Sequence, residues 1–151
     1  MKFRLVDRIL SWTPHQCIRG IKAVSFEEYS LKAAFGDEGR LPETLLLESL
    51  LQLGNWLILL STDFQQMGMV VKMGRVEFHD ALKLGQQAEI EVNLRQGREE
   101  GFLLSGAGRV DGRPIITGVD CLAVPVRADD YLSPEDMRVL FSEICQPGES
   151  K

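Results

Sequence analysis

Histidine is nearly absent from this chain: His15 and His79 are the only two in 151 residues. They leave no cluster able to ligate a metal, so no metal and no cofactor is expected. The three cysteines, Cys17, Cys121 and Cys145, are odd in number and widely spaced, with no CxxC pair. Neither a zinc site nor a disulfide framework is indicated, and free thiols are expected. A basic surplus is also missing. With 17 Lys and Arg against 22 Asp and Glu, the net charge is −5 and no stretch is densely basic, which excludes an ordinary nucleic-acid partner. The N-terminal region has no uninterrupted apolar run, because Lys2, Arg4, Asp7 and Arg8 break it up. No signal peptide is expected, and the cytoplasm is the default location. The uncharged run from Ser49 to Thr62 has 14 residues, short of the roughly 20 that cross a bilayer, so no membrane span is expected.

What remains is 44% hydrophobic and 26% charged, ordinary for one globular domain with a proper core. The most informative stretch is Arg40 to Phe64, RLPETLLLESLLQLGNWLILLSTDF. It reads as one long helix, with Pro42 in the first turn and Glu43 at the positive end of the dipole. Leucines surround most of the cylinder, and the polar residues Thr44, Glu48, Gln52 and Asn55 form one narrow stripe. Such a helix is expected to be wrapped by other structure. Glu48, flanked by Leu45, Leu47, Leu51 and Leu53, is then expected to face something other than bulk water and to be hydrogen-bonded, protonated or in a polar cleft, which makes it a site candidate.

Before this helix, Phe3 to Leu10 fits a short helix or an edge strand equally well, Cys17 to Ser25 reads as a strand, and Tyr29 to Phe35 as a shorter one. After it the period becomes that of strands, over Met67 to Phe78, Gln86 to Leu94, Phe102 to Val110 and Pro114 to Val126. Asp111-Gly112 is a strong two-residue hairpin signal, and consecutive strands predict an antiparallel meander. Met67, Met69 and Met73, at strand spacing, are read as core, with an adaptable acyl channel as the functional alternative. Ser133-Pro134-Glu135-Asp136 carries an N-cap, a proline at the first helical position and acids in the first turn. A short helix is predicted there, ended by Pro147-Gly148, with Leu132 and Met137 as a hydrophobic staple. The fold class is α+β, a curled antiparallel sheet around one long central helix with a short C-terminal helix.

Several segments together resemble a known family. Leu5-Val6-Asp7-Arg8 is similar to an N-terminal "LVDR", and Lys22-Ala23-Val24-Ser25 to a "KNVS" strand end. The run from Ala34 to Gln52 lies in register with the pattern H-F-P-G-x-P-x-x-P-G-V-L-x-x-E-x-x-x-Q. Arg75 to Gly85 and Gly108 to Gly112 resemble two further segments. The family is the beta-hydroxyacyl-acyl carrier protein dehydratases of the hot-dog fold. The resemblance implies a hot-dog domain over residues 1–126, leaving 127–151 as a C-terminal extension with a short helix and a frayed tail.

Carried over residue by residue, the resemblance gives Glu48 and Gln52 as catalytic positions and Phe35, Pro42 and Glu43 as substrate-binding ones. Ala34 stands where the family has its catalytic histidine. In the family that histidine takes the α-proton while the glutamate helps the 3-hydroxyl leave as water. Alanine has no titratable atom, so ordinary dehydratase chemistry is expected to be lacking, and neither His15 nor His79 maps onto the position. The implied partners are acyl carrier protein or acyl-CoA, in a homodimer or larger assembly, with a heterodimer with a histidine-bearing homologue as a further possibility. The alternatives are a dehydratase using another base, and a thioesterase using Glu48.

Overall fold

Alternating apolar and polar residues put one face of a strand in a core, and six such segments here join edge to edge in one antiparallel sheet. A computed structural model describes residues 4–27, 39–98 and 101–145. The strands are β1 (Arg8–Thr13), β2 (Cys17–Ala23), β3 (Gln66–Phe78), β4 (Gln87–Arg98), β5 (Gly101–Val110) and β6 (Arg113–Arg127). The ambiguous first segment contributes only its last residues, from Arg8, to strand β1, which runs on to Thr13 before the Pro14 turn, while residues 4–7 are extended chain outside the sheet ladder. The expected strand Tyr29 to Phe35 falls outside the described residues.

The sheet order is β1-β2-β4-β5-β6-β3, which corrects the expectation of a simple meander. Of the four strands after the helix, only β4, β5 and β6 lie side by side in chain order, and before the helix β1 and β2 do the same. At Asp111-Gly112 both residues have positive φ, 50° and 78°, as a tight two-residue hairpin requires. Strand β3 instead pairs with β6, from Gln66↔Arg127 to Phe78↔Ile116, and forms the far edge. Connection length explains the difference. Residues 79–86 separate β3 from β4, enough chain for a crossover. That crossover is held by the segment before the helix, where Leu41 N–H donates to Leu82 O at 2.8 Å and Leu84 N–H donates to Gly39 O at 2.7 Å.

The long helix α1 (Glu43–Ser61) lies against the sheet, touching β2, β3, β4 and β5. Pro42 is its N-cap residue, one position earlier than the sequence suggests. Leu46, Leu50, Leu53, Leu57 and Ile58 are buried among Ile18, Ile90, Val92, Leu104 and Ile116. Each such side chain contributes roughly 1.5–3 kcal/mol on leaving water. Length and apolarity alone would let α1 cross a membrane, but 50% of its most apolar window is buried within the chain itself.

A second helix, α2 (Pro134–Ile144), starts where the capping residues predict, with Ser133 Oγ accepting from Asp136 N–H at 3.2 Å. The expected stop at Pro147-Gly148 lies outside the described residues. The apolar face of α2 covers the C-terminal half of α1. The ring of Phe141 meets Trp12, Trp56 and Phe64 at centroid distances of 6.0–6.3 Å. Arg138 stacks 4.5 Å above the Phe64 ring and bonds Asp63 at 2.9 Å.

Candidate functional site

The polar stripe of α1 is the natural place to look for chemistry, and its four residues have two different fates. Thr44 and Glu48 are exposed, while Gln52 and Asn55 are half-buried. Glu48 therefore does not face away from water in this chain, contrary to the expectation from the sequence. The cause is that the sheet covers only one side of the helix: Leu45, Leu47 and Leu51, beside Glu48, are themselves only half-buried. The expected hydrogen bond is present, because Gln52 Nε2 donates to Glu48 Oε1 at 3.1 Å, one turn along the helix.

The two amides also hold backbone in place, a role the sequence does not reveal. Gln52 Oε1 accepts from Leu5 N–H at 3.0 Å and so ties the N-terminal segment to the helix. Asn55 clamps Gly68 of β3 from both sides: its Oδ1 accepts from Gly68 N–H at 2.9 Å and its Nδ2 donates to Gly68 O at 3.3 Å. A Cβ at that position would lie 2.5 Å from Ile58 Cδ1 and 3.0 Å from Ala123 Cβ, so any larger residue there makes Ile58 move. The partners are 47 and 13 residues away in sequence, so spacing within the helix carries no sign of them.

Pro42 is half-buried and Glu43 is exposed at the first turn of α1, about a turn before Glu48, so both lie on the open end of the helix. Ala34 and Phe35 fall outside the described residues. His79 bonds Thr117 Oγ1 at 3.0 Å on the exposed β3–β6 pair, and the backbone of His15 is held by Ser61 Oγ at 2.8 Å. Of the three methionines, Met69 (41% exposed) and Met73 (46%) are not core, whereas Met67 is half-buried beside α1. Burial pushes the Cys121 thiol up, with the charge of Asp120 adding to the effect, and burial does the same at Cys145. Among the described residues no group of three His, Cys, Asp or Glu side chains is placed to hold a metal.

Two segments matched in the sequence prove to be one structural unit. Asp7 Oδ2 lies 3.4 Å from Nζ of the fully buried Lys22 and accepts from Ala23 N–H at 2.6 Å. A lysine ammonium inside a core needs such a partner. The ion pair joins the two segments in this chain.

Solved structures show the same fold. A hot-dog-like protein from Thermanaerovibrio acidaminovorans superposes with a TM-score of 0.62 at 19% identity, over 85% of this chain and 91% of that one. The dehydratase heterocomplex ApeI:P from Xenorhabdus doucetiae gives 0.62 at 16% identity, over 91% and 89%. In sequence, the chain is 32% identical over 114 residues to a 3-hydroxyacyl-(acyl-carrier-protein) dehydratase FabZ from Oleidesulfovibrio alaskensis, 74% of either protein. It is 29% identical to a FabZ from Sorangium cellulosum, over 72% of each. Residues 1–118 match the model of the FabA-like domain, a stretch that includes the Asp7–Lys22 pair, all of α1 and five of the six strands in full. With the curled sheet, the central helix and its Glu48–Gln52 pair in place, this chain belongs to the FabA-like family of hot-dog proteins.

Proposed function

We propose that this protein binds acyl thioesters, carried on acyl carrier protein or coenzyme A, at the open N-terminal half of α1, without ordinary dehydratase chemistry. The observation that carries this reading is the Glu48–Gln52 pair, hydrogen-bonded at 3.1 Å on the exposed stripe of α1, in a chain with alanine at position 34. Dehydration of a 3-hydroxyacyl thioester breaks a Cα–H bond and the Cβ–O bond, so one group must take the proton and another must protonate the departing hydroxide. Glu48, as the carboxylic acid, can serve the second step. Ala34 cannot serve the first. The free backbone N–H groups at the start of α1 offer hydrogen bonds to a thioester carbonyl, next to the carboxylate of Glu43.

A partner chain fits this reading. Edge strand β3 exposes Met69, Val71 (56%), Met73 and Phe78, an apolar edge that a monomer would normally blunt. A second copy, or a histidine-bearing homologue supplying the missing base, would cover it. One of the similar structures is itself a dehydratase heterocomplex.

The test is hydration of an enoyl thioester, and dehydration of its 3-hydroxyacyl counterpart, by wild type and Ala34→His in parallel. Wild type is expected to be inactive and Ala34→His to gain turnover that Glu48→Gln removes. Turnover by wild type would mean that another residue supplies the base and would overturn this assignment. Release of free thiol from acyl-CoA, lost in Glu48→Gln, would instead identify a thioesterase, the second use open to an exposed helix carboxylate.

A further inference from the structure

Glutamine presents an oxygen on one side of its amide and N–H donors on the other, and its neighbours decide which way it lies. At Gln52 the deciding neighbour is main chain. A backbone N–H can only donate, so Leu5 N–H, 3.0 Å away, holds Oε1 toward the N-terminal segment and leaves Nε2 facing Glu48 at 3.1 Å. Leu5 cannot turn away. It is buried, as is Val6, and Asp7 anchors the segment to β2. The Asp7 N–H donates to Ile21 O at 2.9 Å, and its Oδ2 accepts from Ala23 N–H at 2.6 Å and lies 3.4 Å from Nζ of Lys22. With the amide fixed in this way, Oε1 of Glu48 meets a donor, and a proton placed on it would point at Nε2–H of Gln52. A proton on Glu48 therefore belongs on Oε2.

We propose that residues Leu5 to Asp7 form a strap that positions the reacting group: through Gln52 it occupies Oε1 of Glu48 and leaves Oε2 as the one oxygen that reacts. The inference rests on the thioester reading above and names the atom on which that site works. It holds for either chemistry open to Glu48. As an acid, Glu48 breaks its Oε2–H bond, the departing hydroxide leaves as water, and a carboxylate remains. As a base, Oε2 takes a proton from the water that attacks a thioester carbonyl carbon and returns it to the thiolate that leaves. Leu5 acts only through Gln52, so it is a positioning residue, with Asp7 as its anchor. A carboxyl group free to rotate would present either oxygen, and such a loss of orientation lowers turnover rather than binding.

The experiment removes one hydrogen-bond donor and little else. A synthetic peptide of residues 1–16, with the Leu5 N–H replaced by an ester oxygen, is joined to residues 17–151 at Cys17, a natural ligation junction, and compared with the same chain ligated with all its amides. Nuclear magnetic resonance follows the Gln52 side-chain amide, and hydration of an enoyl thioester is measured with Ala34→His in both chains. The ester is expected to move the Gln52 Nε2–H signals toward their values in Glu48→Ala, and to lower kcat about tenfold while KM stays within about twofold. Unmoved Gln52 signals would overturn the strap whatever the kinetics. Moved signals with kcat unchanged, or with a rise in KM alone, would overturn the positioning role. Moved signals in a chain that neither hydrates an enoyl thioester nor releases thiol would support the hold on Glu48 and overturn the thioester reading. Should the ligated chain fail to refold, Gln52→Glu tests the same link from the other side. It keeps an acceptor for Leu5 N–H but removes the donor to Glu48, and should shift the Glu48 carboxyl carbon signal and lower kcat with KM held. An unchanged carbon signal or an unchanged kcat would overturn the proposal.

Discussion

The two halves of α1 look alike in sequence and do different work. Residues 53–59 are buried almost without interruption, between the sheet on one side and Phe141 of α2 on the other. Residues 43–52 have the same density of leucine, yet Glu43, Thr44 and Glu48 are exposed and Leu45, Leu47 and Leu51 only partly covered. The later half is core on almost every side, whereas the earlier half gives only Leu46 and Leu50 to the core and presents a carboxylate and an amide to the outside. The lesson is that an all-round apolar helix need not be wrapped along its whole length. Where the cover stops, partly exposed leucines mark a surface for a ligand or another chain.

The sharpest way to break this contrast is a pair of identical truncations. Leu57→Ala, at a site with no exposure, should cost about 2–5 kcal/mol by urea unfolding, and Leu47→Ala, half-buried beside Glu48, well under half as much. Similar losses at the two positions would show that the N-terminal half is covered in solution, as by a partner chain. Next in size is Gly68→Ala, where the added methyl must displace Ile58 and spoil the Asn55 clamp. An expected loss of about 1–3 kcal/mol would appear as a lower unfolding midpoint, and a neutral outcome would mean that β3 slides easily over α1. The smallest effect concerns the cover itself. Ser133→Ala removes the N-cap of α2 and should cost about 1 kcal/mol, read best as faster amide exchange in residues 134–144 with little change in the sheet.

How much of this was open to a reader of the sequence depends on the distance over which each feature is determined. Local chemistry was legible: Ser133-Pro134 starts a helix, Asp111-Gly112 turns a hairpin, and the leucine pattern gives α1 to within three residues at either end. Pairing order was not, because the place of β3 beside β6 depends on what a connection of ordinary length does in space. The site divides the same way. Glu48 and Gln52 stand out as polar residues in an apolar helix, but their exposure depends on where a curled sheet ends. The tethers from Gln52 to Leu5 and from Asn55 to Gly68 link residues with no local relation. Ala34 and Phe35 carry meaning only through the family pattern.

Residue Cys145 forms an isolated parallel bridge with Ile9 of β1, and Phe141 rests on Trp12. These contacts join positions more than 125 residues apart, so their loop-closure entropy is among the largest in the molecule. During synthesis the strands and α1 emerge first, with Trp12 and Trp56 uncovered until residue 141 has left the ribosome. A nascent chain stalled at residue 130 would show both indoles to chaperones, and release of α2 would be the event that withdraws them.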